Sequence, residues 1–313
     1  MKLLEHTGDF RRHAKESAVT IGVFDGVHRG HQAIIRDCVE EARRRSIASV
    51  ALTFERNPRE LVCGETPCVI SSSVRKMEIL ESLGLDFTVS VKFNRSFASM
   101  RPDEFCRRVL AGHLGAKKVC VGENFRFGRG GKGDVGTLAS EGASLGFEVD
   151  VVPLVKVELG QLSSTLVRGL IVEGRMQEVM DGLGRPYTVS GSVVPGHSRG
   201  KRLGFPTANL LLDGDFCVPP DGVYAGKAVL PEGTYTCAIN IGSNPTFRDA
   251  EAALEVFLLD FDGDIYGETL EVEFHHRLRE EIAFAGEEQL VTQMKKDVRK
   301  ARSLLKKEEG SGG

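Results

Sequence analysis

Residues 22–31 read Gly22-Val23-Phe24-Asp25-Gly26-Val27-His28-Arg29-Gly30-His31, and they follow an apolar run from Ala18 to Phe24. The run predicts a strand that ends in a glycine-punctuated turn. Gly26 and Gly30 permit close backbone approach, and His28 and His31, three apart where a helix begins, point the same way. A helix starting near Gly30 adds free backbone N–H groups and the positive end of its dipole, an arrangement suited to phosphate. Taken alone, two histidines at this spacing equally describe a βα turn with surface imidazoles, or half of a metal site.

Outward from this stretch, apolar runs alternate with helical ones through the first 185 residues. Strands are expected at Ala18 to Phe24, Ser49 to Phe54, Asp86 to Phe93, Lys117 to Gly122 and Phe147 to Val152, with helices between them, among them Ser71 to Leu83. This alternation predicts a Rossmann-like parallel sheet whose ligands bind beyond the carboxyl ends of its strands. From Pro186 the texture changes to short alternating segments: Tyr187 to Val194, Val223 to Leu230, Tyr235 to Ile241, Leu254 to Asp260 and Thr269 to Phe274. They predict an antiparallel β-barrel. Leu290, Met294, Val298, Ala301 and Leu305 then recur at helical spacing and predict a terminal helix over 287–307 packed on that barrel. The expected domains are therefore 1–183 and 184–307, with 308–313 a disordered tail.

The 313 residues carry 41 basic and 44 acidic side chains, a net charge of -3, so no overall basic field points to a nucleic acid or an anionic membrane. Groups that bind phosphate must be local. The N-terminal MKLLEHTGDFRRH has its apolar stretch broken by Glu5 and His6 and lacks a signal-peptide core. Seven cysteines, with no CxxC pair and no histidine at zinc spacing, read as reduced thiols of a cytoplasmic protein. Oligomeric state leaves no mark in the sequence.

Two further segments in the first half carry chemistry. GENFRFGRGGKGD at 122–134 sets Asn124, Phe125 and Phe127 beside a glycine-rich loop with Arg126, Arg129 and Lys132. SSTLVR at 163–168 offers Ser163, Ser164, Thr165 and Arg168 where a helix starts, a set of phosphate donors that alone would be an ordinary helix cap. With GVFDGVHRGH in this order, they resemble the bacterial bifunctional riboflavin kinase and FAD synthetase family, in its nucleotidyltransferase half. The resemblance implies that FMN phosphate attacks the α-phosphorus of ATP, with pyrophosphate leaving and magnesium bridging the ATP oxygens. It places His28 and His31 on the phosphates as catalytic groups, and Gly22, Phe24, Asp25, Gly26, Gly30 and Asn124 around the nucleotide. Ser163, Ser164, Thr165 and Arg168 close on the triphosphate, and Phe125 and Phe127 contact flavin. Such a reaction needs alignment and charge-stabilising donors, with no covalent intermediate. One departure is visible: in TFERNPRE at 53–60, Arg56 and Asn57 stand where the family usually has proline and histidine. An amide can donate a hydrogen bond and carries no proton at neutral pH, so adenylylation is expected to be slower or differently tuned.

In the second half, GRPYTVSGSVVPGHSRGKRLGFPTANL at 184–210 contains Gly200-Lys201 followed by arginine, which excludes a Walker loop. Thr207 and Asn209, two apart on extended chain, project oxygens to one side. The stretch resembles the riboflavin kinase signature, which implies that Gly196, Gly200 and Gly204 border ATP and that Thr207 and Asn209 hold Mg2+. PDGVYAG at 220–226, INIGSNPTF at 239–247, DFDGDIYGE at 260–268 and LREEIAF at 278–284 follow in the family's order. From these, Glu268 is expected as the base that accepts the ribityl 5′-hydroxyl proton, and Arg279 as a flavin contact. Asn244 to Phe247 are expected near the ligand loops. The full expectation is conversion of riboflavin to FMN and of FMN to FAD, both with ATP. Its rivals are a kinase with weakened or lost adenylylation, and a flavin-binding regulatory protein without turnover.

Overall fold

The computed structural model describes residues 1–195, 203–242 and 253–311. Its first half contains one six-stranded parallel sheet in the order β1-β4-β3-β2-β5-β6, formed by β1 (Lys2–Leu4), β2 (Ser17–Ile21), β3 (Ala48–Phe54), β4 (Phe87–Val91), β5 (Ala116–Gly122) and β6 (Glu148–Val152). Five of these meet the expected runs. β1 was not among them, because three residues are too few for a periodic signal; it adds to the edge by pairing with β4. β2 is buried along its whole length, as a central strand covered on both faces must be. It also stops earlier than expected: Phe24 adopts a left-handed conformation (φ 53°), so Gly22 to Phe24 leave the strand and belong to the turn.

The crossovers and connections supply α1 (Arg29–Arg45), α2 (Pro58–Cys63), α3 (Ser73–Ser82), α4 (Arg95–Ala98), α5 (Pro102–Glu104) and α6 (Val135–Leu145). Pro102 occupies the first turn of α5, where its missing N–H costs nothing. A two-stranded ribbon, β7 (Lys156–Val157) and β8 (Gly160–Gln161), leads to α7 (Ser164–Val172) and α8 (Met176–Leu183).

The second half closes into an antiparallel barrel, β10-β13-β12-β11-β14-β9, from β9 (Tyr187–Val194), β10 (Ala208–Leu212), β11 (Gly222–Leu230), β12 (Gly233–Ile241), β13 (Ala253–Leu258) and β14 (Thr269–Arg279). Alternating burial in β9 marks an inner and an outer face. The terminal helix, α9 (Glu287–Ser311), runs past Lys307. Residues 308–311 are thus helical where a disordered tail was expected. Glu308 explains part of this, since its carboxylate meets His275 Nδ1 at 2.7 Å and His276 Nε2 at 2.8 Å on β14.

Two compact units result: Met1–Pro67 with Ser73–Ser163, and Cys68–Ser72 with the chain from Ser164 onward. The division falls before α7, ahead of the texture change near Gly184. α8 belongs to the barrel's unit because it buries Met176, Val179 and Leu183, and Gln177 donates from Nε2 to the carbonyl of His275 at 2.7 Å.

The cysteines need correction. Cys68 and Cys217 form a disulfide across a sequence separation of 149, with Cα atoms 4.9 Å apart. The surrounding backbone brings them together: Val69 N donates to Asp215 O (2.8 Å) and Cys217 N donates to Val69 O (3.0 Å). Spacing rules see only neighbours in sequence, so they could not show this pair. Cys38, Cys63, Cys106, Cys120 and Cys237 are free thiols.

Candidate active sites

In the first unit, the turn after β2 is bent by three positive φ angles: Phe24 (53°), Gly26 (74°) and Val27 (38°). A β-branched residue in this region is held there by its surroundings. The turn delivers His28, only 5% exposed, to the N-cap of α1, where its Nδ1 accepts from His31 N at 3.3 Å. With Nδ1 accepting, the other ring nitrogen, Nε2, is the one that can carry a proton. The two imidazoles stack with centroids 3.7 Å apart, and the Phe24 ring stands edge-on to His31 at 5.3 Å. Desolvation, reinforced by His28, holds His31 well below the ordinary imidazole range, so it is neutral at neutral pH. Its Nδ1 is buried with no hydrogen-bond partner among the described residues. The close approach expected at Gly30 is present, and Gly22 makes another. A Cβ on Gly22 would lie 2.9 Å from the Phe24 ring, and one on Gly30 would lie 3.1 Å from the His28 imidazole.

Beyond β5, Asn124 is exposed and Phe125 half-buried. Phe127 is core: it is 7% exposed, stacks on Phe125 at 5.5 Å and packs against Phe105 at 5.6 Å. Of the two aromatics, Phe125 is the ring with surface to offer. Asn57, at the departure from the family pattern, caps α2 by accepting from Arg59 N at 3.1 Å. Ser163 ends the first unit, whereas Ser164, Thr165 and Arg168 belong to the second, at the start of α7. Arg168 donates from Nε to the carbonyl of Cys68 at 2.8 Å.

In the barrel, pairing registers set one row across five strands: Asn209 faces Glu255, Glu255 faces Asn240, Asn240 faces Val223, and Val223 faces Arg279. Directly paired residues share a sheet face, so this row points to one side. That side opens on a cavity of about 560 Å³ whose lining includes Thr207, Asn209, Asn240, Glu255, Phe257 and Arg279. Leu290, Met294 and Asp297 of α9 form another wall. Arg279 is committed: its guanidinium pairs with Asp297 at 2.9 Å, and Asp297 also accepts from Gln293 Nε2 at 2.8 Å. This pair fixes α9 against β14. Gly204 (φ 80°) turns the chain before Phe205, another lining residue.

Glu268 lies elsewhere. Its side chain is exposed and is not among the lining residues, and its backbone completes the end of the β9–β14 ladder by accepting from Val193 N at 2.9 Å. The carboxylates that do reach the cavity are Glu255 and Glu281. Nothing local in EAALEVFLLD distinguishes Glu255; only its register opposite Asn209 places it at the cavity. Gly196, Gly200 and the segment Asn244 to Phe247 lie outside the described residues.

Comparison with known proteins covers both units. A family model described as FAD synthetase matches residues 10–166, and one described as riboflavin kinase matches 183–305. The bifunctional riboflavin kinase/FMN adenylyltransferase of Haemophilus influenzae is 34% identical over 97% of this chain and 99% of its own. The chain belongs to the bifunctional riboflavin kinase/FMN adenylyltransferase family. The Escherichia coli K12 member of that family is 35% identical over 97% of this chain and 98% of its own. A crystal structure from Streptococcus pneumoniae, described as a macrolide-efflux protein, superposes with a TM-score of 0.84 at 31% identity, covering 96% of this chain and 98% of that one. Among the described residues of this family member, no helix is long and apolar enough to cross a membrane.

Proposed function

We propose that the barrel phosphorylates riboflavin to FMN with ATP and that the parallel-sheet unit, through GVFDGVHRGH, adenylylates FMN to FAD with a second ATP and releases pyrophosphate. The observation that carries the kinase reading is the cavity where Glu255, Thr207 and Asn209 meet. The Thr207 hydroxyl, the Asn209 amide oxygen and a carboxylate are hard oxygen donors, which suits Mg2+ holding ATP phosphates. Magnesium there would neutralise charge on the transferring phosphoryl group. Glu255 takes the role of base in place of Glu268. It accepts the proton of the ribityl 5′-hydroxyl as that oxygen attacks the γ-phosphorus, with ADP leaving. The apolar rings of Phe205 and Phe257 with Met294 and Leu290 provide surface for a flat flavin, with the Arg279–Asp297 pair holding the wall in place.

For adenylylation, His28 presents its Nε2–H, and the N-terminus of α1 adds backbone donors. His31, kept neutral, supports His28 through its backbone N–H and ring stacking. Gly22, Phe24, Asp25, Gly26, Gly30 and Asn124 are assigned to the nucleotide and Phe125 to flavin, with Ser163, Ser164, Thr165 and Arg168 as phosphate donors. The location proposed is the cytoplasm. The test is product analysis after incubation with riboflavin, ATP and magnesium. FAD is the expected product; FMN alone would remove the adenylyltransferase reading, and unchanged riboflavin would remove both.

A further inference from the structure

Lys76 is a charged side chain on the buried face of α3, 8% exposed, one turn before the fully buried Leu80. Burying an ammonium is costly unless it is compensated. Among the described residues its hydrogen bond is to the carbonyl of Phe54, at 3.3 Å, at the carboxyl end of β3. The carboxylate that acts on it belongs to Asp25, inside the GVFDGVHRGH turn. Burial pulls the ammonium's proton affinity down and Asp25 pushes it back up.

The same helix is the floor of that turn. Phe24 and Val27, two of its left-handed residues, pack in one apolar cluster with Leu80 and Leu85, against which Met77 and Ile79 also lie. From the sheet side, Gly22 N donates to Leu52 O (3.1 Å) and Thr53 Oγ1 donates to Val23 O (3.1 Å), so the start of the turn is laced to β3. Lys76 reaches the next places along, the Phe54 carbonyl and the field of Asp25. A turn whose φ angles are unfavourable keeps its shape only where its neighbours determine it.

We propose that Lys76 is a positioning residue for adenylyl transfer. Its buried ammonium ties α3 to the end of β3 and to Asp25, and thereby holds the left-handed turn that seats His28 at the head of α1. The proposal rests on the reading of His28 as a group that meets phosphate. It concerns alignment, so its signature is in turnover more than in substrate affinity. A misplacement of about 1 Å at a reacting centre costs up to about a hundredfold in rate.

The experiment measures FMN and FAD formation separately in folded Lys76→Met, Lys76→Arg and His28→Ala full-length protein, with circular dichroism and thermal midpoints alongside. Lys76→Met keeps the length and removes the charge. It is expected to lower kcat for FAD formation by about tenfold to a hundredfold, with KM for ATP and FMN within about threefold of the parent. FMN formation stays at the parental rate. Lys76→Arg, which keeps the charge, is expected to recover most of the lost turnover. A folded Lys76→Met with parental kcat overturns the proposal, and so does a loss confined to KM. If Lys76→Met does not fold, Lys76→Arg decides: a folded Arg variant with turnover reduced by tenfold or more overturns it. His28→Ala separates the two levels. Parental FAD formation in His28→Ala removes the reading of the motif, whereas an impaired His28→Ala beside a normal Lys76→Met removes the inference about Lys76 alone.

Discussion

The two candidate sites are built in opposite ways. In the parallel-sheet unit, ten consecutive residues carry the turn, the N-cap and both imidazoles, braced from outside by β3 and α3. In the barrel, the cavity draws on Asn209, Glu255, Asn240 and Arg279 from four different strands, aligned only by register. A site of the first kind is exposed to changes in one loop. A site of the second kind depends on ladder pairing around the barrel, where a slip of one residue turns every side chain to the other face.

The largest expected effect tests the barrel side of this contrast. Glu255→Gln should lower riboflavin phosphorylation by roughly two to four orders of magnitude while FAD formation from supplied FMN continues. Glu268→Gln, at the exposed end of the ladder, should leave both rates near the parent. Separate steady-state assays of the two variants decide it, and the reverse pattern would return the base to Glu268.

Next in size is the local site. His28→Ala should lower FAD formation on the order of a hundredfold, mostly in kcat, with FMN formation unchanged. Single-turnover assays with FMN and ATP read this directly. If both activities fell together, the site would not be local.

A smaller effect concerns where the barrel unit begins. A fragment from Ser164 should be more stable, and more active as a kinase, than one from Gly184. The shorter piece loses α8, with Met176, Val179 and Leu183 buried against the rest of the unit. Each such side chain contributes about 1.5 to 3 kcal/mol when fully buried. Urea unfolding of the two fragments gives the comparison, and equal midpoints would place the boundary at Gly184.

The smallest effect is a pH dependence. His31 binds its proton less readily folded than unfolded, so it contributes stability that is present above the unfolded value of about 6.5 and lost as pH falls below it. Relative to the parent, His31→Gln should therefore lose less of its thermal midpoint between about pH 7 and pH 5. Parallel melting curves at the two pH values test the sign.

What could be read in the sequence follows the same contrast. The parallel strands, the barrel strands and the terminal helix announce themselves through hydrophobic period, and His28 and His31 through a contiguous motif. β1 was too short to show a period, and the end of β2 was obscured because Phe24 is apolar yet left-handed. Phe127 reads as a ligand aromatic in sequence and is a core residue in space, since packing against Phe105 has no sequence sign. Glu255 and the Cys68–Cys217 pair escaped for one reason: each depends on a partner far along the chain.

The bridge between Val69 and Phe216 has a kinetic consequence. The segment Cys68–Ser72 leaves the ribosome well before β10 through β14 exist, yet it belongs to their unit. Its flanks belong to the sheet unit, so the barrel unit is completed only by capturing a piece of chain whose two ends are already claimed. Loop closure over that distance is a late, non-local step. The barrel unit is therefore expected to complete after the sheet unit during synthesis, and a circular permutant that released Cys68–Ser72 from its flanks should relax that order without altering either set of reacting groups.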